Sequence, residues 1–401
     1  MTDFQRAFET IKEDALLVSN NQKRCPIVER TTNTVKESIE NNKLILFGCG
    51  AGGVGIATFF NELGIKISGV CDSYKNGIFA ITGHNIMTPI DLYENHLDAI
   101  VLISSRNFEN EILSNLISSG FPADRIVTYP WDIIHDQKPT NLADLYRPYF
   151  AKQVLHILND FEQSHYDGFE YAYNMFSDET SRGVVIMMVR RLLFEEIITR
   201  SSDSPQYFEK RILQLEDNEV FIDAGACYGD TTAEFIRQCQ QNNVTYKHIV
   251  AFEPMDKIAQ SMFYLPDNIK NFELIEKGLW HENTELRFTI CDQGTSTAVL
   301  TRSEDNEVIV PVTSLDLLFE ERPKSDWPTF IKMDIEGSEP NALIGAKRII
   351  SEKRPKLAIC VYHKPEHLYQ VLAYIDGFDL DYKFALRQYE DGLNEQVLYC
   401  Y

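Results

Sequence analysis

Residues 219–232 read EVFIDAGACYGDTT, and residues 248–254 read HIVAFEP. The first is an apolar run that ends at Asp223 and passes through Gly225 and Gly229 into a helical stretch. Glycine lets the backbone turn tightly and approach a ligand closely. The helix that follows directs its free N–H groups at the loop. The second run ends in Glu253, 28 residues beyond Gly225. A carboxylate at the tip of the second strand is placed to accept hydrogen bonds from both hydroxyls of a ribose. The loop lacks a third glycine at the spacing that admits a pyrophosphate, so the pattern predicts a nucleoside ligand without phosphates. S-adenosylmethionine meets that description. A strand, turn and helix with no ligand would share the glycines; the acidic strand tip favours a site.

Outward from this loop, short apolar runs alternate with helical spans. After 218 come EVFIDAG, HIVAFEP, FELIEKGLW, TFIKMDIEG and KLAICVYH, which predict parallel strands joined by crossovers. KFALRQY and QVLYCY, separated by EDGLNE, predict a terminal antiparallel hairpin. Between about 139 and 215 no strand signal occurs. Val154, Leu158 and Phe161, and Val189, Leu192, Leu193 and Ile197, recur at helical spacing instead. From 43 to 130 the alternation is repeated: KLILFG, KISGVCDS, DAIVLISS and RIVTYP, with helical spans over 54–63 and 107–119. The predicted organisation is a helical segment (1–42), a small Rossmann-like module (43–135), a helical connector (136–217) and a larger α/β domain (218–401).

The ordered motifs VFIDAGACYGDTT, AFEP, PVTSLDLL, IKMDIEGSEPNALIGA and RPKLAICVYHKPEHL resemble those of the FkbM family of methyltransferases. SDETSR (177–182) and PQYF (205–208) look like the helical lead-in of some members, so the resemblance spans about 177–401. It implies a class I methyltransferase fold: a seven-stranded sheet whose last strand is antiparallel. It further implies S-adenosyl-L-methionine as cofactor, with roles for Asp223, Gly225 and Glu253. Ala226, Tyr228, Gly229, Thr231, Pro254, Gly278 and Asp334 complete the expected cofactor-binding set. Ala226-Cys227 stands where many members have Ala-Asn. The implied reaction is O-methylation of a sugar or similar hydroxyl compound, in polysaccharide or natural-product synthesis.

A hydroxyl acceptor benefits from a general base within hydrogen-bond reach. Asp334 and Glu336 follow FIKMD at a strand's carboxyl end, the edge where ligands sit in open α/β sheets, and His363 follows LAICVY at the same edge. These three are the catalytic candidates. Their donor set would also suit a divalent cation; no tight ligand spacing demands one, and no metal ligand is assigned. Ser296 and Thr297 are candidates for the acceptor side, and Trp280 either flanks the adenine or fills core.

LILFGCGAGGVGIATFF places Gly48, Gly50 and Gly53 between a strand and a helix, and Asp72 ends the next strand, 19 residues past Gly53. That context satisfies a dinucleotide fingerprint. It supports an alternative function, an NAD(P)-dependent oxidoreductase or nucleotide-sugar-binding protein, and a module that only mediates assembly is a third reading. At about 90 residues the region is short for a complete six-stranded dinucleotide domain.

The chain's 38 Lys+Arg against 60 Asp+Glu give a net charge of −22, a field that repels polyanions and argues against nucleic acid. Apolar residues at 44% exclude a disordered chain. The cysteines at 25, 49, 71, 227, 239, 291, 360 and 400 form no Cys-x-x-Cys pair, so a zinc ribbon is not expected. His84, His135 and His165 read as surface or loop residues. No signal peptide or spanning segment is read. A soluble cytoplasmic protein is expected, acting on a small-molecule acceptor and compatible with a homo-oligomer.

Overall fold

The alternation of buried apolar runs with helical spans builds one large sheet in each of two units. The computed structural model describes residues 1–19, 43–62, 66–105, 108–122, 125–128, 154–194, 196, 198–255, 262–266, 269–289, 307–392 and 394–401. One compact unit comprises Met1–Ser164 with Met187–Ile198; the other comprises His165–Ile186 with Thr199–Tyr401. The stretch read as a connector is thus divided between the two.

In the N-terminal unit, β1 (Leu44–Phe47), β2 (Gly69–Cys71), β3 (Ile78–Phe79), β4 (His84–Met87), β5 (Ile100–Ile103) and β6 (Ile126–Thr128) form one sheet. Its order is β3-β4-β2-β1-β5-β6. All neighbours pair in parallel except β3 and β4, a short antiparallel pair at the edge. The inner strands LILF and VLI are buried on both faces, as parallel strands covered by helices require. Six strands fit into this short module because the β2-to-β4 connection carries β3 in place of a helix. The sequence reading did not separate β3 and β4, whose residues are partly exposed and form no apolar run. The helix Asp3–Ser19 buries Phe4, Phe8, Ile11, Ala15 and Val18, one face of a 3.6-residue repeat. Phe8 meets Phe161 of the helical turns over 154–164, with ring centroids 5.4 Å apart.

In the C-terminal unit, β7 (Glu219–Ala224), β8 (Tyr246–Phe252), β9 (Phe272–Ile275), β13 (Phe330–Met333), β14 (Lys356–Cys360), β15 (Phe384–Gln388) and β16 (Gln396–Cys400) form a seven-stranded sheet. Its order is β15-β16-β14-β13-β7-β8-β9. Only β16 runs against its neighbours, and it forms the expected hairpin with β15. One face buries Phe221, Phe330 and Phe208 with Phe235 of the helix Asp230–Asn242; the Phe221 and Phe235 rings stack at 4.3 Å. FELIEKGLW, read as one strand, divides: β9 joins the large sheet, whereas β10 (Gly278–Leu279) joins β11 (Thr284–Thr289) and β12 (Glu307–Thr313) in a three-stranded sheet. Trp280, which follows, is half-buried.

The order reverses around β7, with β8 on one side and β13 on the other. Ligands of open α/β sheets bind at such a switch point, beyond the carboxyl ends of the strands.

Candidate active site

Gly225 begins the turn after β7 in the left-handed region (φ +77). A Cβ there would overlap the Asp334 carbonyl oxygen, so only glycine lets the ends of β7 and β13 meet. Gly229 (φ +84) closes the loop as the N-cap of the helix Asp230–Asn242. Between them Cys227 is also left-handed (φ 45), a conformation Asn tolerates better than most residues.

Glu253 sits at the tip of β8, 5% exposed. Its Oε2 accepts the Cys227 backbone N–H at 3.1 Å and its Oε1 the Met255 N–H at 2.9 Å. Burial pushes its carboxyl up, and these two hydrogen bonds oppose that. A carboxylate has about four acceptor positions, so two fixing bonds leave capacity for a ligand's hydroxyls.

Asp223 occupies a different place from the one expected. It is fully buried below the loop, with Oδ1 3.1 Å from Lys332 Nζ and Oδ2 accepting the Thr232 hydroxyl at 2.6 Å. A carboxylate with no exposed surface supports the loop rather than touching a ligand. The Lys332 ammonium also donates to the carbonyls of Ala224 (3.2 Å) and Gly225 (2.8 Å), tying β13 to the glycine turn. Burial pushes the Asp223 carboxyl up. The same burial opposes the Lys332 charge, yet Asp223 and Asp334 hold that ammonium above its ordinary value.

Asp334, Glu336 and His363 lie together at this edge. His363 Nε2 lies 3.6 Å from Asp334 Oδ1 and 3.5 Å from Glu336 Oε2. Burial alone would lower the imidazole, but Glu336, Glu339 and Asp334 push it up to about 10. Glu336 is 41% exposed and left-handed (φ 55), a backbone state sparsely used by residues with a side chain. Two phenols fix Asp334: Tyr207 donates to Oδ2 at 2.8 Å and Tyr362 to Oδ1 at 3.1 Å.

The remaining expected residues are spread around this edge. Ala226 and Thr231 are buried, Tyr228 and Pro254 are half-buried, and the Tyr228 ring packs tilted against Phe263 with centroids 5.0 Å apart. Gly278 lies on β10 opposite Val312, in the three-stranded sheet rather than in the loop. Ser296, Thr297, His135, Cys25 and Cys291 lie outside the described residues. His84 and His165 are more enclosed than expected: His84 is half-buried on β4, and His165 Nδ1 is 3.0 Å from the Tyr369 hydroxyl. Sequence reasoning gave no role to Tyr207, Tyr362, Lys332, Glu339 or His367. Each belongs to a quoted motif, but nothing local marks which of its residues turns inward.

In the N-terminal unit, Gly48 (φ +108) and Gly53 are both required by packing: a Cβ on Gly53 would overlap the Gly48 carbonyl. Asp72 is turned into this loop, accepting the Cys49 N–H at 2.7 Å and the Tyr74 and Lys75 N–H groups at 2.9 Å.

A doubly wound sheet of this order, with a glycine turn, an acidic second strand tip and carboxylates beyond the fourth strand, defines a domain of the class I methyltransferase type. Residues 223–384 match the family model of the methyltransferase FkbM domain. Residues 40–127 match the C2185-like N-terminal model. The crystal structure of methyltransferase FkbM from Methylobacillus flagellatus KT is similar, with a TM-score of 0.55 and 20% identity over 99% of this chain and 98% of that one. At that identity the likeness is one of fold. A search of curated proteins gave no match. Among the described residues, no helix is long and apolar enough to cross a membrane.

Proposed function

We propose that the C-terminal unit binds S-adenosylmethionine and catalyses transfer of its methyl group to a hydroxyl of a sugar or nucleotide-sugar in the cytoplasm. The observation that carries this reading is Glu253, a buried carboxylate held at the strand tip by two backbone N–H groups. Such an acceptor matches a ribose diol. The charge of the surroundings agrees: Asp230 in the first helical turn, Glu253, Asp334 and Glu336 are all acidic. The Lys332 amine is enclosed beneath the loop with Asp223. Such a field favours a cationic ligand and disfavours a pyrophosphate at this helix terminus.

When bound, S-adenosylmethionine supplies an electrophilic methyl carbon on a sulfonium sulfur. The chain's contribution is to align the acceptor, exclude water and remove a proton. Asp334, oriented by Tyr207 and Tyr362, is the proton acceptor in this account, with Glu336 and His363 beside it. The test is to incubate the chain with methyl-labelled S-adenosylmethionine and the small-molecule fraction of a cell extract. Mass spectrometry should find label in a methyl ether. Label confined to nitrogen or carboxylate products, or none transferred, contradicts the reading.

A second reading concerns the N-terminal unit. No described atom lies within 4 Å of a Cβ built on Gly50, so packing does not explain that glycine as it explains Gly53. Lys75 Nζ reaches the same loop, donating to the Cys49 carbonyl at 2.9 Å. Open space beside a cation suits a phosphate-bearing ligand, a dinucleotide or nucleotide sugar. Thermal shifts with NAD(H) and UDP-sugars test this; no shift with any of them favours an assembly role.

A further inference from the structure

Beneath the methyltransferase crevice, Glu339, His363 and His367 bring ligand-type atoms within 4.8 Å of one another. Glu339 is fully buried and His367 is 3% exposed. Glu339 Oε1 receives the N–H groups of Ile335 and Gly337 and so anchors the turn that carries Asp334 and Glu336. Its other oxygen, Oε2, has no hydrogen-bond partner, and neither do Nδ1 of His363 and Nδ1 of His367. His363 Nδ1 stands 3.3 Å from Glu339 Oε1, and His367 Nδ1 stands 3.7 Å from Glu339 Oε2. These separations exceed the usual hydrogen-bond range of about 2.7–3.2 Å. The 3.7 Å between His367 Nδ1 and Glu339 Oε2 is near the roughly 3.4 Å edge of a tetrahedron of N and O ligands each about 2.0–2.2 Å from a central zinc-like ion, and the ligand atoms of all three residues lie within 4.8 Å of one another. Three buried polar atoms left without hydrogen-bond partners would be costly. A cation at their centre satisfies all three.

We propose that Glu339, His363 and His367 bind a divalent transition-metal ion of the zinc class. The two-imidazole, one-carboxylate set is that of an intermediate ligand field, suited to Zn²⁺, Co²⁺ or Ni²⁺ rather than to Ca²⁺ or Mg²⁺. With Nδ1 on the ion, the other ring nitrogen of His363 faces Asp334 and Glu336 at 3.6 and 3.5 Å. Metal-bound histidines commonly donate their second N–H to a carboxylate, which fixes both groups. The ion therefore holds the floor of the crevice and orients its carboxylates. In sequence the signal is the pair of histidines four apart in HKPEH (363–367).

The test uses the full chain, stripped with a chelator, and Zn²⁺ and Co²⁺ alone as probes. One equivalent of Zn²⁺ should bind by calorimetry, and one equivalent of Co²⁺ should give visible absorption of tetrahedral type. His367→Gln and Glu339→Gln should each weaken binding at least 10-fold. His248→Gln, which alters a histidine–carboxylate pair on β8 and β9, should leave it unchanged. Should Glu339→Gln fail to fold, His367→Gln decides alone. Absence of stoichiometric binding in the wild type, or binding that survives His367→Gln at full affinity, overturns the proposal.

Discussion

Lys332→Met would separate the two roles of the buried ammonium, charge compensation and loop anchoring. Lys332 and Asp223 are 2% and 0% exposed and 3.1 Å apart. Methionine fills most of the lysine stem's space but leaves the Asp223 carboxylate buried without its counter-charge. Removing one partner of a buried pair costs about 3–5 kcal/mol, a large share of the roughly 5–15 kcal/mol that stabilises a typical domain. An exposed pair in the same unit, Lys247 with Asp326 (40% and 39% exposed), is the contrast. Lys247→Met should change stability by about 1 kcal/mol at most. Equilibrium urea unfolding, read by intrinsic tryptophan fluorescence, measures both. The Lys332→Met midpoint should fall with an unchanged slope. Adding Asp223→Asn should recover part of the loss, because the stranded charge is then absent. The deficit of the single variant should also shrink as pH falls and Asp223 takes up a proton. A Lys332→Met midpoint within about 1 kcal/mol of wild type, or strict additivity in the double variant, would refute the argument.

Three further outcomes are expected. Gly53→Ala should destabilise the N-terminal unit by more than about 2 kcal/mol through overlap with the Gly48 carbonyl, whereas Gly50→Ala should stay within about 0.5 kcal/mol; thermal unfolding compares them. Burial and the Asp334 carboxylate push Glu395 up to about 7 from 4.5, so the folded state holds a proton that the unfolded state releases. Stability should then decline as pH rises from 4.5 to 7, and Glu395→Gln should remove that part of the decline in urea midpoints measured across the window. Asp334→Asn should lower turnover about 10²–10⁴-fold at saturating substrate, with cofactor affinity little changed in a labelled-methyl assay.

The inner strands of the two large sheets were legible because each buried run is apolar and bounded by turn residues. The terminal hairpin was legible from the turn-like EDGLNE between two such runs. β3 and β4 were not, since a two-stranded edge half open to solvent needs no apolar run. At the site, strand ends fixed where Glu253, Asp334 and His363 would emerge, because a β-strand delivers its last residue to a known edge. Side-chain direction was harder. Asp223 lies one residue inside the end of β7, whereas Asp334 lies just beyond β13, and Asp223 turns under the loop where Lys332, its partner on β13, offers it an ammonium. Tyr207 reaches Asp334 from 127 residues away, and no local spacing reports such a contact. Glu339 and His367 were passed over for the same reason: their burial is decided by packing between segments.

The central claim is that Glu253 receives the ribose of S-adenosylmethionine in the crevice beyond β7 and β8. Isothermal titration of S-adenosylmethionine, and of its demethylated product, into the wild type and into Glu253→Ala tests it most directly. Both ligands should bind the wild type, and the variant should lose about 1.5–3 kcal/mol of affinity, because hydrogen bonds to a charged group are the stronger kind. Unchanged affinity in Glu253→Ala, or no binding of either ligand to the wild type, would contradict the account.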